Sequence, residues 1–253
     1  IKSGLTQNEI KSFRQKEGLF DKFRQLIDKF NISKEAAVDE IVSYAKLYAD
    51  TFKAGMLDET IIRYNGVERL AYLMYTQDFW TPVPYILYIL KNVESKRERD
   101  NIFSYMETYL MRRLICKSKN NSYSDMFSEN LIGQGVNTFE AFKAYVNDAV
   151  NRGTLLMPSD EDVIDAVKQN DLKRDAQVIL YMLESRLNDS FSTSSHDNSF
   201  NLFVKEQIMP EKADANWPLG AEVTEEQRGE IAKTLGNFII LREKLQPKAK
   251  KAA

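Results

Sequence analysis

Apolar residues return at helical spacing along most of the first 190 positions, and many of the stripes open behind a capping residue, which confines this part of the chain to a multi-helix architecture. Thr6 and Glu9 stand at capping-box spacing ahead of Phe13, Leu19, Phe20, Phe23, Leu26, Ile27 and Phe30, so a long amphipathic helix is predicted with Gly18 as its weak point. Ser33 is placed to cap a second helix with the stripe Ala37, Ile41, Tyr44, Ala45, Tyr48 and Phe52, ending near Gly55. The pattern resumes from Asp58 to Tyr75 through Ile61, Ile62, Leu70, Leu73 and Met74, and Pro82 and Pro84 interrupt it. The apolar run from Tyr85 to Leu90 has the composition of a strand, but its continuation into charged Lys96 to Asp100 favours a buried helix. The sharpest stripe follows: Ile102, Tyr105, Met106, Tyr109, Leu110 and Leu114, with Arg112 and Arg113 near the C-terminal end, where cations suit the helix dipole. Further helices are expected around 125–131, 138–151, 159–168 and 172–187, with Ser159 and Asp162 as a capping pair.

From 188 to 199 the composition shifts to Ser, Asn and Asp, which predicts an exposed loop or domain seam. Beyond it, 201–208 reads as a strand, 224–234 as a helix opened by a Thr224/Gln227 capping box, and 238–241 as a second strand. The tail from Lys248 to Ala253 is basic and expected to fray. The predicted fold is mainly α: a multi-helix bundle followed by a small β-containing subdomain. Its expected parts are a helical region over 1–100, a second helical part over 101–190 and the small subdomain over 191–253.

A chain of 253 residues, 43% of them hydrophobic, can bury a substantial core. Its net charge of -2 leaves no global basic field, so any nucleic-acid contact has to come from local patches. The single cysteine, Cys116, excludes an intramolecular disulfide and a CxxC zinc site, fits a reducing cytoplasm, and is read as a small buried hydrophobe. No apolar run approaches the ~18 residues of a membrane span and no signal pattern opens the chain, so a cytoplasmic protein without membrane contact is expected. The chain starts at Ile1 rather than Met, which is read as the start of a piece of a longer protein. No GxxxxGK[ST] loop, HExxH, GxSxG elbow or EF-hand spacing occurs, which argues against a self-contained NTPase or hydrolase of those kinds.

Two stretches carry a resemblance. The first is Glu107-Thr-Tyr-Leu-Met-Arg-Arg-Leu-Ile-Cys116, followed by Pro158-Ser-Asp160 and Ile179-Leu-Tyr-Met-Leu-Glu184. The second is Glu206-Gln-Ile-Met-Pro210, Trp217 and Leu235-Gly-Asn-Phe-Ile-Ile-Leu241. The first resembles a helical signature of the GmrSD-type modification-dependent restriction enzymes. The second resembles their terminal nuclease motif, Glu-His-Ile-x-Pro, then Trp, then Leu-Gly-Asn-Leu-x-Leu-Leu. The resemblance spans about 104–245. It implies that 191–253 is an HNH-like (ββα, His-Me finger) subdomain and that the activity is DNA cleavage dependent on a divalent metal, Mg2+ or Mn2+. It implies DNA, including modified phage DNA, as partner, a ParB-like nucleotide-hydrolysing domain ahead of this segment, and a role in bacterial anti-phage defence.

An HNH-type site needs a histidine to deprotonate water, a metal to stabilise charge on the phosphate, and residues that hold both. At the family's histidine position this chain has Gln207, whose amide cannot accept a proton at physiological pH but can position water or contact a phosphate. The sequence's one histidine, His196, lies in the polar loop and is read either as a displaced base or, more simply, as a solvated residue. Asn237 matches the family asparagine that would orient the base or the metal's water; beside Gly236 it also suits a plain turn. Glu206 would orient the base or help the metal, or else face solvent as a strand carboxylate. Gln246 stands where the family supplies an amide or imidazole metal ligand, and Pro247 alters how a following helix starts.

Both corners of the chemistry are thus weakened. Either a nuclease has decayed or position 207 carries a substitution. The expected function is a catalytically impaired endonuclease-type module, with a non-catalytic DNA-binding or protein-interaction scaffold as the alternative. Arg242, Lys244, Lys248, Lys250 and Lys251, against Glu243, suit phosphate contact or a solvated tail. Arg112 and Arg113, with Lys117 and Lys119 nearby, are expected to pair with buried carboxylates such as Glu107 or Glu184 more than with DNA. Phe79, Trp80 and Tyr85 would line a pocket for a modified base, form a domain interface or, most simply, pack in the core.

Overall fold

Gly18 takes φ 69°, a left-handed conformation that costs glycine nothing, and α1 (Leu19–Lys29) starts there. The structure is a computed structural model that describes residues 18–61, 66–148, 155–191 and 197–245. The Thr6/Glu9 capping box, Ile62, His196, Gln246 and Lys248, Lys250 and Lys251 lie outside the described residues. In α2 (Lys34–Thr51) Ser33 Oγ accepts from Ala36 N at 3.1 Å, as its sequence predicts. The apolar stripe of α2, however, does not enter the core: Ile41, Ala45 and Tyr48 are exposed and only Phe52, at the C-cap, is buried. The physical reason is that α2 meets the next helices along one edge. There Lys91 reaches Ser43 and lies 5.5 Å from the Tyr44 ring centroid, a polar seam rather than an apolar one.

The core is built on α3 (Gly66–Gln77), α4 (Val83–Asn92) and α5 (Lys96–Ile115). A Cβ on Gly66 would stand 2.8 Å from Phe103 Cβ and 3.1 Å from the Asp100 carbonyl, so only glycine lets α3 begin this close to α5. The run behind Pro82 is the expected buried helix, with Tyr85, Ile86 and Ile89 inside. Helical turns Tyr123–Asp125 and Leu131–Gly133 flank a π-helical stretch, Met126–Asn130, where an ordinary helix was expected. Then come α6 (Phe139–Asn147), α7 (Asp160–Gln169), which carries the Ser159/Asp162 capping box, and α8 (Ala176–Leu187). Trp80 packs edge-on against Phe52 and Tyr75, and Phe79 lies against Tyr123, so the aromatics around the two prolines are mainly packing residues. Cys116 is only half-buried, at the end of α5, and burial pushes its thiol pKa up.

The arginines do pair structurally, with other partners than expected. Glu107 takes a bidentate bond from buried Arg69 of α3 (Nε to Oε2 2.9 Å, Nη2 to Oε1 2.8 Å) and a third from Arg186 of α8 at 2.7 Å. Arg69 also donates to Ser185 Oγ and the Met182 carbonyl, which ties α3, α5 and α8 together and satisfies a charge that would be costly alone. Arg112 binds Asp160 and the Pro158 carbonyl, and Arg113 lies over Tyr109 and Tyr123. Glu184 accepts from Asn188 instead. Sequence pairing failed here because, among the described residues, Arg113 is satisfied by the Tyr123 hydroxyl and by the Lys119 and Leu156 carbonyls rather than by a carboxylate, and Glu107 is already taken by Arg69 and Arg186.

The loop after α8 is less exposed than its composition suggests. Phe191, Asn198 and Ser199 are buried; Tyr181 Oη donates to the Asn198 carbonyl at 2.7 Å and Asn198 Nδ2 to the Phe191 carbonyl at 2.7 Å. Polar residues can enter a core when their bonds are made. A 3-10 turn at Phe200–Leu202 then leads into β1 (Phe203–Gln207), shorter than expected. After α9 (Glu225–Ile231), opened by the Thr224/Gln227 capping box, comes β2 (Phe238–Arg242). The strands are antiparallel, Phe203 opposite Arg242 and Gln207 opposite Phe238. Phe203 packs on Tyr181 of α8, and Leu235 and Phe238 join the same apolar cluster as α3 to α8. Among the described residues the fold is thus mainly helical with one small two-stranded sheet.

Candidate functional site

Side chains alternate across a strand, so Glu206 and Gln207 leave β1 on opposite faces. Glu206 pairs with exposed Ile239 on the outer face, while Gln207 turns toward α9 and its following turn. There Gln207 Nε2 donates to the Ala232 carbonyl at 3.1 Å. Asn237 Nδ2 donates to the same carbonyl at 2.8 Å, so two of the three sequence-selected residues meet at one backbone oxygen and the third does not.

Asn237 is 7% exposed and its amide is fully engaged. Its Oδ1 accepts from Met209 N at 2.7 Å, its Nδ2 donates to the Met209 carbonyl at 2.8 Å, and its own carbonyl accepts from Ile208 N at 2.9 Å. The asparagine that precedes β2 therefore clamps the loop that leaves β1. It is more than a turn residue: the bonds cross from one strand end to the other and fix where Gln207 stands.

Sequence reading did not find the other parts of this corner. Arg228 of α9 is buried; its Nε donates to the Pro210 carbonyl at 3.1 Å and its Nη1 to that of Pro218 at 3.3 Å, fastening both ends of the long connection. Glu211 hydrogen-bonds Lys173, just before α8, and that bond and charge, with a lesser bond from Gln207, hold its carboxyl below the usual range. Lys205 reaches the Lys173 carbonyl, and burial, which outweighs the pull of Asp175, lowers its pKa. The Thr224/Gln227 capping box announced α9, but no sequence signal marked which of its residues turns inward.

The basic residues divide. Arg242 donates to Asn198 Oδ1 at 2.5 Å and lies over the Phe203 ring, so its guanidinium is turned into the protein, whereas Lys244 is exposed. Among the described residues no three His, Cys, Asp or Glu side chains converge as metal ligands. Mg2+ and Mn2+ require several oxygen donors at one point. Here Asn237 is spent on backbone, Glu211 is bound to Lys173 and Glu206 is on the other face, so the described side chains do not by themselves fit such an ion.

Residues 157–252 match the family model of the GmrSD restriction endonucleases, C-terminal domain. This part of the chain is similar to the GmrSD C-terminal domain. The comparisons with curated proteins and with solved structures give no match. The matched segment takes in α7, α8, α9 and both strands, while α1 to α6 lie ahead of it. Gln207 and Asn237 thus both stand inside the matched segment, as does all of the corner around Ala232.

Proposed function

We propose that this chain supplies the C-terminal, endonuclease-type part of a bacterial restriction protein directed at DNA, modified phage DNA included, and that with glutamine at 207 its cleavage is impaired. The observation that carries the reading is the shared Ala232 carbonyl. A side chain at 207 is held there by a donated bond and by the Asn237 clamp beside it. A histidine in this place, donating one ring N–H to that carbonyl, would keep its other nitrogen as an acceptor, which is what a general base requires. Glutamine makes the same bond and offers no base.

In this reading Asn237 is the positioning residue, Glu206 contributes from the outer face, and Lys244 with the tail lysines Lys248, Lys250 and Lys251 meets phosphates. A divalent metal, Mg2+ or Mn2+, would supply charge stabilisation on the phosphate, with Gln246 as a weak donor. A ParB-like domain ahead of this segment and a cytoplasmic setting belong to the same proposal. The second reading, a non-catalytic DNA-binding or interaction scaffold, is favoured by the spent state of Asn237 and by the lack of a converging donor set among the described residues.

The two separate in one experiment: cleavage of plasmid and modified phage DNA with Mg2+ or Mn2+, by this chain and by Gln207→His. The expected result is no cleavage by the chain; because the Gln246 position is altered too, metal-dependent nicking by the variant would show that the metal side is intact and that Gln207 alone silences a working nuclease. Silence from both with retained DNA binding establishes the scaffold. Cleavage by the chain that survives Asn237→Ala overturns the assignment of this corner.

A further inference from the structure

A cavity of about 440 Å3 lies between the C-terminal ends of α3 and α5 and the turn that opens α8. Its volume is within the range of small-molecule sites, roughly 300–1,000 Å3. The floor is apolar and partly aromatic: Leu73, Leu110, Leu114, Phe79 and Tyr123. Phe79 and Tyr123 are 5.3 Å apart between centroids and tilted by 52°, so they form an angled wall.

The rim is different in kind. Gln77, Ser118, Asn120 and Lys117 line it, and none of their side chains has a hydrogen-bond partner among the described residues. Arg174 also lines it, with its side chain 86% exposed and only a 3.7 Å contact to Asp175. Two unspent primary amides, each with a donor and an acceptor side by side, match the edge of a nucleobase. Apolar and aromatic faces below them suit its plane. Lys117 and Arg174 in the same lining suit a phosphate; of the two carboxylates there, Asp78 accepts from Trp80 and Asp175 lies 3.7 Å from Arg174.

We infer that this cavity binds one unpaired nucleotide, its base laid on the Phe79/Tyr123 floor, its edge read by Gln77 and Asn120, and its phosphate met by Lys117 and Arg174. The nucleotide belongs either to a nucleic-acid strand or to a free mononucleotide. The strand source rests on the DNA-directed reading above. Arg174 of the rim follows Lys173, whose ammonium meets Glu211, so the turn that borders the cavity also carries the residue bonded to the Gln207 side of the fold.

The test uses the full chain and its Gln77→Ala/Asn120→Ala double variant, both positions being at the rim rather than in the core. Binding is measured by calorimetry to dAMP, to a short single-stranded oligonucleotide, to the same strand with one abasic position, and to duplex DNA of equal length. The expected result is a preference for the intact strand over the abasic one of about tenfold, set by the base's bonds to the two amides together with stacking, which the double variant lowers severalfold while keeping its thermal transition. Binding of dAMP without further gain from the strand, lost in the double variant, supports the site with a free nucleotide as its occupant. Equal affinity for intact and abasic strands with no dAMP binding overturns the pocket while leaving the DNA reading standing. Binding of dAMP with no affinity for any DNA overturns the DNA reading and keeps the pocket. A preference unchanged in the double variant places base recognition elsewhere and overturns the proposal.

Discussion

Asn237 shows how much a single amide can do when all of it is used. It satisfies the N–H and carbonyl of Met209 and shares the Ala232 carbonyl with Gln207, at 7% exposure. Alanine there removes three bonds and strands a buried N–H, so Asn237→Ala is expected to cost roughly 2–4 kcal/mol in urea unfolding and to speed amide exchange at Met209. A loss under ~0.5 kcal/mol would show that the clamp carries little. The Lys173–Glu211 pair makes a prediction in pH. Glu211's folded pKa is lowered by Lys173, so the pair's contribution is present above the ordinary carboxyl value and is lost as pH falls through the lowered one. Carboxyl NMR is expected to find Glu211 titrating below its ordinary value of 4.5 and moving up toward it in Lys173→Ala. No movement would mean that another group sets it.

At the scale of elements, the helices were legible because their signals are local. Ser33, Ser159/Asp162 and Thr224/Gln227 each cap the helix that the spacing assigned to them, and Pro82 sits at the start of α4. What the sequence could not convey is which stripe finds a partner. The stripe of α2 is as regular as that of α5, yet one is exposed and the other buried, because burial depends on neighbours and not on period. The candidate site was legible in the same uneven way. Gln207 and Asn237 were marked by motif and do meet, whereas Arg228, Glu211 and the Ala232 carbonyl belong to the corner only through the fold. Gly66 also gives no sequence signal of its role, and its contact can be tested. Because Phe103 Cβ is fixed to the α5 backbone, it cannot rotate away from a methyl 2.8 Å distant. Gly66→Ala should therefore push α3 from α5 and cost about 1–3 kcal/mol by thermal unfolding. Gly133→Ala, where a Cβ meets nothing within 4 Å, is the control and should be neutral or slightly stabilising. Equal effects at the two positions would mean that the helices have room to part.

At the scale of the molecule, the segment that carries the family match shares one core with the helices ahead of it. Inside 157–252 the inner face of α8 is covered by helices that lie ahead of it. Tyr181 stacks on Tyr72 of α3, centroids 5.5 Å apart and planes 5° from parallel, with their hydroxyls 3.1 Å from each other. Ser185 and the Met182 carbonyl receive Arg69, Arg186 binds Glu107, and Asp160 of α7 receives Arg112 of α5. Cutting at 157 would expose those aromatic and aliphatic faces and leave Arg186 without its carboxylate. A fragment of residues 157–253 is therefore expected to keep helical circular dichroism but lose a sharp urea transition and bind a hydrophobic dye, whereas the whole chain unfolds cooperatively. The family segment would then be a functional unit embedded in a larger folding unit, with α3 and α5 as its structural wall. A fragment that unfolds in one steep transition, with the urea dependence proper to its size, would show that the small sheet and α7 to α9 suffice to hold α8, and that the Arg69–Glu107–Arg186 network joins two independent parts rather than building one.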